Sequence, residues 1–125
     1  MNKHVRKQAR IKAEQRGRRA ETLAAWLLRF KGYKILDMRK QTPHGEIDII
    51  ALKGKILAIV EVKQRPTLDQ AKDALHNANL SRIEEAAYFY QAKRSKLDNK
   101  DIRFDAVYVT AGLRMKHVKD AWRGY

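Results

Sequence analysis

Gly45-Glu-Ile-Asp-Ile-Ile-Ala-Leu-Lys-Gly-Lys-Ile-Leu-Ala-Ile-Val-Glu-Val-Lys-Gln-Arg65 holds two runs of residues suited to a buried pleated surface, Glu46 to Leu52 and Ile56 to Lys63. Lys53-Gly54 between them has the form of a tight hairpin turn. With that turn, Asp48 faces Ile59 and Glu46 faces Glu61. Side chains alternate along a strand, so Glu46, Asp48, Glu61 and Lys63 are expected on one face. Like charges opposite one another destabilise a sheet. A bound divalent cation, a raised carboxyl pKa or splaying into solvent would each relieve them. Glu61 and Lys63 also end a strand that is wholly apolar from Ile56 to Val60, and charges intruding on a buried sheet need partners.

Working outward, Tyr33 to Met38 reads as a strand before the hairpin, with Gln41-Thr-Pro-His-Gly45 as the connecting loop, so three strands form an antiparallel meander. Leu23, Trp26, Leu27 and Phe30 recur at helical spacing and predict a helix over about residues 20–31 whose core face they form, with Gly32 as its stop. Glu21 lies on the other side of that helix, among Ala24, Ala25 and Leu28. It is either an exposed charge at a helix start or a carboxylate reaching into a site. After Pro66, Thr67-Leu-Asp-Gln70 and Ser81-Arg-Ile-Glu84 each have the form of a capping box opening a helix. Phe104 to Thr110 reads as a buried strand, and Val118, Ala121 and Trp122 as a last amphipathic turn.

The 125 residues carry 28 Lys+Arg against 14 Asp+Glu, a net charge of +14, and no cysteine. Disulfides, thiolate metal sites and Cys nucleophiles are therefore excluded. No Gly-x-Ser-x-Gly turn, P-loop or dinucleotide fingerprint is present. His4, His44, His76 and His117 are scattered and read as ordinary surface residues. The longest apolar stretch is far below the roughly 20 residues that span a bilayer, so a soluble cytoplasmic protein is expected, with no membrane partner. A strongly basic small domain attracts polyanions, nucleic acid first and an anionic membrane surface second. Half of the excess charge lies in residues 1–19, which hold eight basic residues against Glu14. They read as a flexible basic arm, either a solubilising tail or a nucleic-acid contact, ahead of a single domain over 20–125.

Gly45-Glu-Ile-Asp48 followed, thirteen residues after the Asp, by Glu61-Val-Lys63-Gln-Arg65 resembles the PD-(D/E)XK nuclease core. More closely, the chain resembles the YraN-like family of predicted Holliday-junction-resolvase-like endonucleases. Ala20-Glu21, Lys31-Gly-Tyr-Lys-Ile35, Arg103-Phe-Asp-Ala-Val-Tyr-Val109 and His117-Val-Lys-Asp-Ala121 match in order. Two departures from the family pattern are Asn77-Ala-Asn-Leu-Ser81, where relatives often carry Pro and Lys, and the longer arm.

The resemblance implies an α/β, restriction-endonuclease-like core: a central mixed sheet with the antiparallel meander, flanked by helices. It implies a Mg²⁺- or Mn²⁺-dependent endonuclease in which Asp48 and Glu61 hold the metal with the Val62 carbonyl. Lys63 would orient the attacking water, and Glu21 would be the helix-borne acid of resolvase-like sites. Arg18, Arg19, Arg65, Lys93 and Arg94 are the expected phosphate contacts, DNA is favoured over RNA, and a homodimer would suit junction cutting. The competing expectation is a non-catalytic, basic nucleic-acid-binding protein on the same fold.

Overall fold

In chain order the elements are α1 (Lys3–Phe30), β1 (Lys34–Thr42), β2 (Gly45–Lys53), β3 (Ile56–Gln64), α2 (Leu68–His76), α3 (Leu80–Ala92), β4 (Asp101–Thr110) and β5 (Arg114–Val118). They come from a computed structural model, which describes residues 2–122. The five strands form one sheet in the order β1-β2-β3-β4-β5. β3 and β4 are parallel and the other pairs antiparallel, so the sheet is mixed and helices flank it. The meander is present as expected, and α2 and α3 make the crossover that a parallel pair requires.

β3 sits in the middle because Leu57 to Val60 are apolar toward both faces and all are fully buried. On one face α1 packs Ala24, Ala25 and Leu28 against Ile49, Ala58, Val60 and Val107. On the other, α3 covers Ile50, Leu57, Ile59 and Phe104 with Ala86 and Ala87, while α2 covers Ala106 and Tyr108 with Ala71 and Leu75. The Thr67–Gln70 capping box forms as read from the sequence. Gly32 closes α1 at a φ of 93°, with Gly32 N–H donating to the Arg29 carbonyl and Tyr33 N–H to that of Leu28. That pair of bonds is a Schellman stop, which requires a left-handed residue. Among the described residues no helix is long and apolar enough to cross a membrane.

Several local expectations are corrected. α1 starts at Lys3, not near residue 20, with Asn2 accepting the Val5 N–H at 2.8 Å as N-cap. The helix also packs through its small residues. Trp26 and Phe30 are 63% and 95% exposed, because the helix approaches the sheet closely through the small, fully buried Ala24 and Ala25. The hairpin pairs Lys53 with Ile56, so Gly54-Lys55 is the turn and the register moves by two residues. The first connection shortens to Pro43-His44, since Thr42 pairs with Gly45. α3 is capped by Asn79, whose side chain accepts the Arg82 N–H. Of the closing amphipathic turn, Val118 ends the edge strand β5, while Ala121 and Trp122 follow it outside any strand and pack on the core as expected.

A candidate active site at the open end of the β2–β3 seam

The ladder between β2 and β3 runs from Lys53↔Ile56 to Ile49↔Val60 and stops there. Strict alternation stops with it. Ile47 packs in the α3-side core and Ile49 in the α1-side core, so the strand kinks at Asp48. Asp48 therefore turns into the seam, where its Oδ2 accepts the N–H of Val62 at 2.9 Å. On β1, Arg39 adopts a left-handed φ of 51°. This conformation is uncommon for a residue with a side chain.

The expected single face of four charges thus becomes an arrangement around a seam. Val60 and Val62 point to the α1 side, so Glu61 and Lys63 share the opposite direction along β3. Glu61 is 4% exposed, and its Oε1 has no hydrogen-bond partner. Burial holds the Glu61 carboxyl well above the usual range; the adjacent Asp48 carboxylate pushes the same way, and Lys63 pulls back. Glu21 reaches the seam from α1. Its carboxyl is raised by burial and by the charges of Asp48 and Glu46, while Arg39 opposes the shift. Arg39 Nε forms an ion pair with Glu21 Oε1, and Arg39 also donates to the Arg18 carbonyl at 2.9 Å. The orientation of the guanidinium makes the Glu21 contact an ion pair without an aligned hydrogen bond, so Nε and Oε1 are otherwise unpaired.

A groove of about 700 Å³ opens on this end of the sheet, lined by Arg16, Gly17, Glu21, Lys63, Gln64 and Arg65 among others. Glu21, Val62, Lys63 and Arg65 line it, whereas Asp48 and Glu61 are not among its lining residues and connect to them through charge contacts, Asp48 with Glu21 and Glu61 with Asp48 and Lys63. Arg18 and Arg19 lie along α1 on a neighbouring cleft with Leu23, Val109 and Leu113. Lys93 and Arg94 belong elsewhere. They follow the C-terminal end of α3, where Lys93 sits over the Phe89 ring and Arg94 over the Tyr90 ring, 3.6 Å from its centroid. Among the described residues no three His, Cys, Asp or Glu side chains converge as a ready metal cage.

Arg39 and Gln64 escaped the sequence reading, and Arg16 was read only as part of the basic arm. Arg39 carried no signal, since its role depends on the left-handed turn of β1. Arg16 and Gln64 join the groove only because α1 crosses the end of β3. The reading of His117 as a surface residue is also overturned: its side chain is 2% exposed, and Nε2 lies 2.9 Å from Asp105 Oδ2. Asp105, fully buried, also receives Arg103 at 2.8 Å and the Asp120 N–H at 3.1 Å. Burial alone would raise its carboxyl, but the bonds from His117, Arg103 and Asp120 hold it below the usual range. Lys31, just past the end of α1, donates to His117 Nδ1. This network pins the C-terminal end of α1 and so sets where Glu21, on the same helix, meets the seam.

A family model described as "Uncharacterised protein family UPF0102" matches residues 20–109, from the first buried turn of α1 into β4. The chain belongs to this family. A UPF0102 protein of Caulobacter vibrioides is 43% identical over 120 residues, covering 96% of each chain. One from Bartonella tribocorum is 44% identical over 118 residues, covering 94% of this chain and 91% of its own. Another UPF0102 protein, from Maricaulis maris, is 44% identical over 115 residues, with 91% and 90% covered. The span matched to UPF0102 contains Glu21, Asp48, Glu61 and Lys63 and leaves out the helical arm before Ala20.

Proposed function

We propose that this UPF0102 protein is a cytoplasmic, metal-dependent nuclease with a restriction-endonuclease-like core, hydrolysing phosphodiester bonds in structured or branched DNA. The observation that carries the reading is the Asp48–Glu61 pair beside Lys63, next to a groove that Lys63 lines together with Glu21, Arg16 and Arg65. Two carboxylates with the Val62 carbonyl form a hard oxygen donor set. Mg²⁺ and Mn²⁺ bind such sets while keeping several waters. The buried, unpartnered Oε1 of Glu61 is an acceptor of the kind a cation would satisfy, so the residues fit the ion.

When bound, the ion would neutralise charge on the scissile phosphate and lower the pKa of a bound water. The chain's own groups supply the rest. Asp48 Oδ2 is held by the Val62 N–H, and its other oxygen would serve as the ligand. Glu61 would shed its proton on taking up that role, which couples binding to pH. Lys63, two residues along the strand and about 6–7 Å from Glu61, would hold the attacking water or the developing negative charge. Arg16 and Arg65 would bind flanking phosphates, contacts that position a strand without reading its sequence. Arg39 restrains Glu21, which would complete the site from the helix side.

A second reading has its own support. Glu21 is engaged by Arg39 and burial favours the neutral form of Glu61, as expected of a basic nucleic-acid-binding protein whose carboxylates are structural. Cleavage assays on single-stranded, duplex, flap and four-way-junction DNA, with an RNA arm, separate the two. Each is run with Mg²⁺, Mn²⁺ or chelator, and with Asp48→Asn and Lys63→Ala in parallel. Metal-dependent cleavage lost in both variants supports the nuclease. Salt-sensitive binding without cleavage on every substrate would overturn it in favour of the binding module.

A further inference from the structure

α1 is 28 residues long, yet only its C-terminal half rests on the sheet; residues 2–16 are exposed throughout. At 1.5 Å per residue, Arg10 lies about 16 Å and Lys3 about 27 Å beyond Glu21 along the axis. The angular position of these residues is as informative as their distance. With 3.6 residues per turn, Lys3 is about five full turns from Glu21 and stands in line with it, Arg10 falls about 20° away, and Lys7 about 40°. The stripe that packs on the sheet as Ala24, Ala25 and Leu28 and enters the groove as Gly17 and Glu21 thus continues outward as Arg10, Lys7 and Lys3. Glu14 is the one acidic residue on the overhanging part of it. Lys12 and Arg19 fall on the reverse side of the helix, about 180° and 160° from Glu21.

From this phase relation we infer that the overhanging half of α1 is a cationic ridge that tracks the phosphate backbone of a nucleic-acid duplex leading away from the groove, on one side only. The inference rests on the nucleic-acid reading above and deepens it, because it assigns the duplex a direction and a length. At 3.4 Å per base pair, the ridge reaches phosphates about 5–8 base pairs from the one in the site. Charge selects this occupant. The arm carries eight basic residues against one acid, so a second copy of the chain would repel it. An exposed helix with no packing face of its own is also marginal in water, and a polyanion along the ridge would stabilise it.

The test measures duplex binding by fluorescence anisotropy in chelator, where no cleavage can intervene, over a series of salt concentrations. Two variants of equal charge loss are compared on the full chain. One is the ridge substitution Arg10→Gln, the other the reverse substitution Lys12→Gln. Gln is a good helix former, and circular dichroism checks that α1 persists. The ridge substitution should weaken binding about threefold or more and lower the slope of log K against log salt by about 1, while the reverse substitution leaves both close to wild type. Equal effects of the two substitutions would overturn the ridge while leaving nucleic-acid binding intact. A wild-type chain that binds anionic vesicles but no duplex at low salt would overturn both the ridge and the nucleic-acid reading. A ridge-specific loss in a chain that cleaves no substrate would support the ridge and count against the nuclease.

Discussion

Asp48 Oδ2 accepts the N–H of Val62 at 2.9 Å across the seam where β2 and β3 part, so a candidate metal ligand is also a structural bond. The ladder ends one pair earlier, at Ile49↔Val60, and without Asp48 a nearly buried N–H would have no acceptor. The same side chain serves folding and the proposed chemistry.

Two substitutions separate those roles. Asp48→Ala should lower stability by about 1–3 kcal/mol, the cost of an unsatisfied buried donor. Asp48→Asn keeps an acceptor for Val62 and should unfold close to wild type in urea, while losing metal-dependent cleavage as completely as Asp48→Ala. An Asp48→Asn protein that still cleaves would remove Asp48 from the chemistry.

Glu61 should be a stability liability in the metal-free protein. Its folded carboxyl sits well above its ordinary value of 4.5, so the folded state holds a proton that the unfolded state gives up. Stability therefore falls as pH rises from about 4.5 toward the raised folded value. Glu61→Gln should melt higher than wild type at neutral pH in chelator, with the gap closing on acidification. A variant that melts lower across that range would contradict the buried neutral acid.

Asp105 titrates with the opposite sign. Its folded carboxyl is depressed, so its contribution is present above the ordinary carboxylate range and is lost as pH falls through the folded value. Asp105→Asn should cost about 3–5 kcal/mol at neutral pH, since it leaves Arg103 and His117 without their buried partner. Denaturant midpoints of wild type and Asp105→Asn should differ at neutral pH and converge only as pH is lowered through the folded value, which lies below the ordinary 3.8.

The packing of α1 can be checked without any activity. Leu28→Ala should destabilise by about 2–5 kcal/mol, because Leu28 is fully buried against the sheet. Trp26→Ala, removing a larger side chain that is mostly exposed, should change stability by less than about 1 kcal/mol. The reverse ranking in chemical denaturation would mean that the helix is rotated on its axis.

Strand composition, turn residues and the Thr67–Gln70 cap are local signals, and they were enough to read the meander, the crossover helices and the later buried strand from the sequence alone. The face of α1 was not legible. Hydrophobicity favoured Trp26 and Phe30, whereas close approach to a sheet favours Ala24 and Ala25, and only the packed fold decides between size and apolarity. Asp48, Glu61, Lys63 and Glu21 could be picked out as charges set among apolar neighbours. Their mutual arrangement could not, because alternation along β2 fails at Asp48, and a kink of that kind arises between strands. His117 and Arg39 show the same limit: each acquires its partner from a residue far away in the chain, Asp105 or Glu21, and no local pattern records that distance closing. Sequence by itself thus determined which elements form and which residues carry charge into them. Tertiary structure decided which face each element buries and which charges meet, since burial and pairing depend on contacts between segments.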